Sequence, residues 1–388
     1  MILFIIIVFF QRSRLLSNKN DSLKSFSLLT SIEGESDMTT VKCMREDLHY
    51  PLGAFSRFVV NELPPLNKTG SPADLLRLGL SLLPDDDQQL IEFAYHRPYI
   101  EKVRAMGDLG IYLISCLKQG ILASELHRVY SILDLFSLLT GLIPRDTYAS
   151  YIAYNPSDSL RTFTGDASEV AFITRHQQSE LALKPAVEEL VKLQSDPDMP
   201  ERLEILEAVK AAMRQVRKEN AEVHKGVDPV FFITFFRDYF FPVEVNGISY
   251  NAPSGVHIAG VILTDLITGT ADDGYMATTH DLLPYLEPCE QFRIKNVMAA
   301  PSLKQTYSAD LKAGRDRSSE LTLLVDIYDE IIKARNVHQG LVSRYIRNQD
   351  ASVARGTGGF AFDIFLQERI DVVAQAKRTV TDKLEPRV

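Results

Sequence analysis

The chain has 388 residues and a formal net charge of −9, from 42 Lys and Arg against 51 Asp and Glu. This acidic balance argues against a nucleic-acid-binding protein, because contacts to phosphates need a basic face. The composition, 45% hydrophobic and 24% charged, excludes a mainly disordered or low-complexity chain. The length suggests two or three domains and a core large enough to enclose a sizeable bound molecule.

Cysteines and histidines are too dispersed to form a recognisable metal motif. Cys43, Cys116 and Cys289 are far apart and form no CxxC pair, which excludes a zinc knuckle and a redox dithiol. Three isolated thiols are typical of a reducing compartment, so we expect a cytoplasmic protein. The eight histidines include no HExxH motif, and no multi-histidine zinc site is predicted.

The first residues form an apolar run, MILFIIIVFF, followed by a polar, Ser-rich stretch to residue 37. The run is shorter than the ~20 residues that span a bilayer. It also lacks the preceding basic residues of a signal peptide. Three interpretations stay open for residues 1–37: an extension upstream of a working start near Met38, a membrane anchor, or a signal peptide. No later segment approaches spanning length, so we do not expect a membrane protein.

The first half of the chain has the apolar spacing of helices. Ser71 followed by Pro72 is typical of a helix start, and Gly120 and Gly141 are typical of helix ends. We predict helices from Ser71, over 85–107 with a break or kink at Pro98, over 109–118 and over 124–139.

A turn-rich segment, residues 144–166, predicts a domain junction. We therefore expect a small helical domain over residues 38–160 and a larger helical domain over residues 161–388. Beyond the junction, Asn246-Gly247 between alternating residues predicts one short β-hairpin. The other predicted elements are a helix over 200–223, an apolar segment over 253–267, a loop over 270–290, a long helix over 318–348 and a last helix over 361–380. The predicted fold class is all-α.

The long helix over 318–348 carries two polar residues on its apolar stripe. Arg335 and His338 continue the line of Leu324, Tyr328 and Ile331, so both side chains are expected to point inward. A buried imidazole needs a hydrogen bond or a metal, and a buried guanidinium needs an anion. Two interpretations are open from the pattern: a core histidine with an arginine beside a carboxylate, or a haem held by its iron and a propionate.

Two further segments have residue types that suit a ligand. Arg237 lies within the most aromatic stretch, residues 229–241, and an arginine can grip a carboxylate with two parallel hydrogen bonds. Phe232 and its neighbours could form an apolar wall for a flat ring. The run RGTGGF at residues 355–360 is a loop whose backbone N–H groups can approach a ligand closely. A surface arginine and a plain linker are the corresponding alternatives.

These segments together resemble the haem-dependent indoleamine/tryptophan dioxygenase superfamily, including its pyrrolnitrin-pathway branch, the monodechloroaminopyrrolnitrin synthases. The phrase from Arg335 to Ile346, RNVHQGLVSRYI, resembles the segment with the haem-binding histidine. RGTGGF is similar to the family's substrate loop, residues 228–237 to its Phe and Arg segment, and residues 250–269 to its small-residue loop and following helix. The resemblance covers roughly residues 75–380.

The resemblance implies an all-α enzyme that binds haem b without a covalent link. His338 would be the proximal iron ligand, and Arg335 and Ser254 would contact the cofactor. The substrate residues would be Arg237 at the carboxylate, Phe232 on the indole, Phe163 and Thr164 nearby, and Thr357 and Gly358 at the amino-acid end. No histidine is evident for the opposite side of the haem, and His257 is interpreted as structural.

Three functions remain open at this point. The first is a dioxygenase that inserts O₂ across the C2–C3 bond of tryptophan or a related indole. The second is a haem enzyme that rearranges a tryptophan or chlorotryptophan derivative, as in pyrrolnitrin biosynthesis. The third is a non-catalytic haem protein such as a gas sensor, for which Arg237 and Thr357 would have no use. The partners would be a small indole and O₂; the oligomeric state is open.

Overall fold

The computed structural model of the protein describes residues 49–385, and this part of the chain is almost entirely helical. It contains fifteen α-helices and one pair of strands. The helices are α1 (Ala54–Asn61), α2 (Leu63–Thr69), α3 (Pro72–Leu82), α4 (Asp87–His96), α5 (Tyr99–Lys118), α6 (His127–Thr140), α7 (Ala167–Ser195), α8 (Arg202–Gly226), α9 (Pro229–Phe231), α10 (Ala259–Thr268), α11 (Asp273–Leu282), α12 (Pro288–Met298), α13 (Leu303–Lys312), α14 (Ser318–Val342) and α15 (Phe362–Leu384). The predicted all-α class is confirmed.

Several helix boundaries follow the local chemistry that the sequence indicated. The Ser71 side chain accepts the N–H of Asp74 and caps α3, and Pro72 occupies its first turn. Gly141, in the left-handed region at φ 71°, ends α6. The strands β1 (Val243–Val245) and β2 (Ile248–Tyr250) are antiparallel. Asn246 and Gly247 between them both have positive φ, as a two-residue hairpin turn requires.

Two predicted elements are wrong. Residues 270–290 were expected to be a loop, but Asp272 caps α11 with its side chain, and Tyr275, Thr279 and Leu282 bury one face of that helix. The expected division between 107 and 109 does not exist either. Helix α5 is continuous through this region, and only the break at Pro98 is present.

The buried side chains form three groups. The first is built from α1–α6 and the strands, and includes Phe163. The second lies among the later helices, where α7 packs on α8, α8 on α14, and α14 on α15. The third is small and joins α8, the end of α14 and the start of α15 through Val223, Val342, Tyr345 and Phe362. The proposed boundary near residue 160 stays a prediction.

Within residues 49–385 there is no helix that combines the length and the apolarity needed to cross a bilayer. The apolar decapeptide and the rest of residues 1–37 lie outside the described residues.

Candidate functional site

His338 lies one turn before the end of α14, on the side of the helix that also carries Arg335 and Val342. Its imidazole is exposed and makes no hydrogen bond to any of residues 49–385. The protein atoms that crowd the ring, together with the nearby His176 and Arg335, nevertheless lower the pKa of His338 to about 4. The prediction that this side chain points inward is not confirmed, because the residue is exposed. Because the pKa is this low, the imidazole is neutral at physiological pH, and its unprotonated nitrogen has a free lone pair.

A second imidazole, that of His176 on α7, lies close enough to His338 to affect its pKa. The His176 Nδ1 is 2.8 Å from the Phe172 carbonyl oxygen, which can only accept, so Nδ1 carries the proton. The Nε2 lone pair is left without a partner among the described residues. Burial lowers the pKa of His176 as well, and its ring packs on Phe172 at 4.3 Å between centroids. Two neutral imidazoles therefore approach the same region from different helices.

Aromatic rings continue from this pair of histidines. The Phe172 ring lies 6.2 Å from Phe232, whose ring is 5.5 Å from Tyr345 in an edge-to-face contact. The Tyr345 ring stacks beside His224 at 5.9 Å, and its hydroxyl donates to the Val227 carbonyl at 2.8 Å. Phe172 and Phe232 are only partly buried. They provide the kind of flat apolar surface on which an aromatic ligand packs.

Arg237 directly follows the aromatic turn, Phe232–Phe236, and its side chain reaches the glycine loop, residues 355–360. Its Nη2 donates to the Arg355 carbonyl at 2.6 Å. The guanidinium is half-buried, and this desolvation lowers its pKa. Among the described residues it forms no ion pair with a carboxylate; the adjacent Asp238 pairs with Lys118 instead. A half-buried cation with unused donors is suited to an anionic ligand.

The glycine loop packs directly on the serine loop, residues 251–257. The Thr357 hydroxyl donates to the Pro253 carbonyl at 3.0 Å. A Cβ placed on Gly358 would lie 3.0 Å from the Ser254 Oγ and 2.8 Å from the Val256 Cγ2. The loops can approach this closely only because residue 358 has no side chain. The structure therefore brings Arg237, Ser254, Thr357 and Gly358 into one assembly. Their roles at a shared site stay a prediction.

Phe163 and Thr164, which were also predicted to contact substrate, lie in a different setting. Phe163 is fully buried and stacks on Tyr239 with centroids 4.5 Å apart. The Glu169 carboxylate accepts the backbone N–H groups of both residues at 2.7 Å and the Thr164 hydroxyl at 2.5 Å. The polar groups of Thr164 are thus engaged within the protein. A substrate role for these two residues stays a prediction.

Arg335, the predicted propionate partner, is engaged as well. Its Nη2 lies 2.5 Å from the Asp265 Oδ2 on α10, and its Nη1 donates to the Arg369 carbonyl on α15 at 2.6 Å. The residue therefore links α14 to two neighbouring helices. Contact with a propionate would have to use its remaining nitrogen or replace the bond to Asp265.

The chain matches the family model described as monodechloroaminopyrrolnitrin synthase PrnB over residues 82–357. The match covers well over half of the 388-residue chain. The chain belongs to this family. Within the PrnB match lie His176, Arg237, Ser254 and His338, and its last residue is Thr357. The family that the residue patterns suggested is thereby confirmed.

His176 is the residue that sequence reasoning missed. Phe172 and His176 are four residues apart and lie on one face of α7. A helix predicted over this segment would have placed the two side chains together. PrnB membership by itself does not assign a role to His176, His338 or Arg237; those roles are inferred below from their surroundings.

Proposed function

We propose that this member of the PrnB family is a haem-dependent enzyme that modifies tryptophan or a tryptophan derivative, with His338 as the iron ligand. The observation that carries the proposal is the state of His338: it is neutral, it has no hydrogen bond in the described chain, and a second neutral imidazole, that of His176, lies nearby. The name of the family adds independent support for a synthase.

The residues around His338 fit a haem in part. A neutral imidazole is what ferrous or ferric haem iron requires on its proximal side. Among residues 49–385 there is no group of three or more His, Cys, Asp or Glu that could hold a bare metal ion. Arg335 fits less well, because Asp265 already neutralises it. When bound, the haem would supply the iron that activates O₂ for oxidation of the substrate.

The chain's own residues would bind and orient the substrate. Arg237 has free donors for the carboxylate of an amino acid, and Phe232 offers a face for the indole. The Thr357 hydroxyl, which donates to the Pro253 carbonyl, keeps its lone pairs to accept the substrate's ammonium group. His176, with Nδ1 protonated, can accept a hydrogen bond from the indole N–H at Nε2. Closure of the glycine loop on this site would exclude water from the reacting atoms.

Two reactions are compatible with these residues. Membership of the PrnB family favours rearrangement of a tryptophan or chlorotryptophan derivative, the second of the predicted functions. Insertion of both atoms of O₂ across the indole C2–C3 bond remains the alternative, because the glycine loop and Arg237 suit either substrate. A gas sensor is disfavoured, since it would not need a carboxylate clamp. The partners are thus expected to be a small indole and O₂.

The decisive experiment combines haem binding with product analysis. We expect the purified protein to show a Soret band, and His338→Ala to lose it while its circular dichroism stays helical. His280→Ala, at an exposed histidine of α11, is the control and should keep its haem. A His338→Ala protein with full haem content would refute the ligand assignment.

Reduced protein is then mixed with tryptophan or a chlorinated tryptophan before air is admitted, and the products are analysed by mass. Gain of two oxygen atoms identifies the dioxygenase reaction, and a different product from the chlorinated substrate identifies rearrangement. Haem-loaded protein that leaves every indole amino acid unchanged would refute the proposed enzyme.

A further inference from the structure

A second group of ionisable side chains surrounds a small cavity that the proposed chemistry does not use. The cavity offers about 20 Å³ to a solvent molecule, which is room for one water. It lies between α7, the turn at residues 149–153, the serine loop and α12. Its lining residues are Tyr148, Ala149, Ala153, Glu180, His257, Ala259, Tyr285, Leu286, Glu287 and Glu290.

His257 is the residue of this cavity whose hydrogen bonding is incomplete. Its side chain is buried, with the residue only 3% exposed, and its ring stacks on Tyr285 at 4.5 Å and an angle of 5°. The His257 Nε2 has no hydrogen-bond partner in the described part of the chain. Burial and the positive charge of Arg145 lower the pKa of His257 to about 3, so the ring is neutral. A neutral ring nitrogen in this position needs a hydrogen bond from the cavity.

Three carboxyl groups line the same cavity. Glu180 accepts the Tyr148 hydroxyl at 3.2 Å, and Glu287 accepts the Tyr154 hydroxyl at 3.1 Å. The Glu290 Oε2 accepts the backbone N–H of Glu287 at 3.2 Å. Burial and the negative charge of Glu287 raise the pKa of Glu290 to about 7, and burial raises the pKa of the other two carboxyls. The cluster therefore retains a proton near neutral pH.

His257 and Tyr285, the stacked pair, form hydrogen bonds at the two ends of the serine loop. The His257 backbone N–H donates to the Ser254 carbonyl at 3.0 Å. At the other end, the Asn251 N–H donates to the Tyr285 hydroxyl oxygen at 3.0 Å. This same loop receives the Thr357 hydroxyl and packs on Gly358. These contacts connect the stacked pair to the place where the serine loop meets the glycine loop.

We propose that Glu290 and His257 are positioning residues that hold the serine loop against the glycine loop while Glu290 is protonated. The neutral carboxyl group of the cluster is linked to the His257 Nε2 by hydrogen bonds through one water in the cavity. When Glu290 ionises, this link is lost and three carboxylates repel one another in a desolvated cavity. The contact between the loops then loosens. Only the consequence for substrate binding rests on the proposed function.

Other ionisable groups around the cavity do not reproduce this behaviour. Lys184 on α7 is exposed and lowers the pKa of Glu180, Glu287 and Glu290, against the dominant effect of burial. The remaining groups that face the cluster are Tyr99, Arg145, Tyr148, Tyr154, Tyr285, Cys289 and Arg293. Burial raises the pKa of Tyr99, Tyr148, Tyr154 and Cys289 further above neutrality. Glu290 is thus the group whose ionisation falls near pH 7.

The test uses Glu290→Gln, which keeps a neutral hydrogen-bond donor at every pH. Trypsin can cleave after Arg355, an exposed residue at the start of the glycine loop, and the product beginning at Gly356 is identified by mass. Because the pKa of Glu290 is raised to about 7, the group is mainly neutral at pH 6 and mainly ionised at pH 8. Over this range we expect the ratio of wild-type to Glu290→Gln cleavage rates to rise several-fold, because the variant cancels the pH dependence of trypsin itself.

Two other variants make the result specific. Glu188→Gln, at an exposed glutamate of α7, should cleave like the wild type at each pH. His257→Phe keeps the stack on Tyr285 but removes the ring nitrogens, and it should cleave rapidly at both pH values. Equal pH dependence in the wild type and Glu290→Gln, or in the wild type and His257→Phe, would overturn the proposal.

A second readout joins this cluster to the site. The KM for the indole substrate should rise from pH 6 to 8 in the wild type and stay flat in Glu290→Gln, with kcat little changed. The cleavage measurement needs neither haem nor substrate. A protein that fails to bind haem would therefore refute the proposed function and leave the loop result intact, whereas equal cleavage slopes would refute the positioning role even in an active enzyme.

Discussion

Replacement of Gly358 by alanine tests whether the contact between the two loops controls substrate binding. Residue 358 is buried, and an added Cβ would lie 2.8 Å from the Val256 Cγ2 and about 3.0 Å from the Ser254 side chain. Ordinary contacts of a Cβ begin near 3.4 Å, so the loops must separate by a few tenths of an ångström. The φ angle of Gly358 is not in the left-handed region, so the effect is steric rather than conformational.

The size of the effect follows from this overlap. Overpacking by one methyl group typically costs about 1–3 kcal/mol. Each 1.4 kcal/mol corresponds to about a factor of ten in an equilibrium constant. If most of the strain is relieved by opening the loops, we expect Gly358→Ala to lower kcat/KM by about ten- to a hundredfold. The loss of global stability should be smaller, about 1 kcal/mol, because both loops can move without disturbing the helices.

Gly356 in the same loop provides a matched control. A Cβ at Gly356 would meet nothing closer than 3.8 Å, and its φ is not in the left-handed region either. Gly356→Ala therefore carries the same change in chain flexibility without the overlap, and its stability should change by less than about 0.5 kcal/mol. Both variants are compared by haem content, urea unfolding and steady-state kinetics. Equal kinetics for the two variants would refute the reasoning, as would loss of haem from Gly358→Ala alone.

Three further substitutions test other parts of the site. Arg237→Ala should raise the KM for tryptophan at least about tenfold while changing turnover of tryptamine, which lacks the carboxylate, much less; an equal loss on both substrates would exclude the carboxylate clamp. His176→Phe should keep the haem spectrum but lower kcat about a hundredfold, and wild-type kinetics would remove His176 from the mechanism. Glu169→Gln should lower the free energy of unfolding by about 3 kcal/mol, because its amide meets donors from Phe163, Thr164 and Tyr151; a change below about 1 kcal/mol by urea titration would contradict this.

Features with a local cause could be predicted from the sequence. The cap at Ser71 needs only its own side chain and the N–H three residues on. The turn at Asn246-Gly247 needs only two residues that accept positive φ. The apolar stripe of α14 is visible as a repeat of three and four residues, and it predicted the inward position of Arg335, whose side chain is mostly buried. The same stripe predicted an inward position for His338, which is exposed.

Features that depend on distant partners could not be predicted in the same way. Gly107 and Gly110 in α5 look like helix breakers, but a Cβ there would approach Ser150 at 3.1 Å and the Asp146 backbone at 2.4 Å. These glycines allow another segment to pack against the helix, and the helix continues because that packing outweighs their low propensity. The ion pair of Arg335 and Asp265, 70 residues apart, is equally invisible in a pattern.

Helix α7 shows most clearly why the second histidine was missed. It is 29 residues long, contains Pro185, and packs on different partners along its length, so its apolar residues follow no single stripe. Its first half contacts the aromatic turn through Phe172, and its second half joins the core of the later helices. Without a predicted helix in this segment, Phe172 and His176 cannot be assigned to one helix face. Nothing else in the sequence indicates that His176 lies near His338.

The contrast between His338 and Arg237 bears on whether the protein is an enzyme or a sensor. A haem-based sensor requires an iron ligand, and His338 alone would supply one. Arg237 is half-buried, is desolvated enough to lower its pKa, and forms no ion pair in the described chain. Such a cation destabilises the free protein unless an anion binds beside it. In a sensor nothing would offset this free-energy cost. In an enzyme that acts on an amino acid, the substrate carboxylate offsets it each time the substrate binds. The guanidinium without an ion pair is therefore a stronger argument for catalysis than the proposed haem ligand His338.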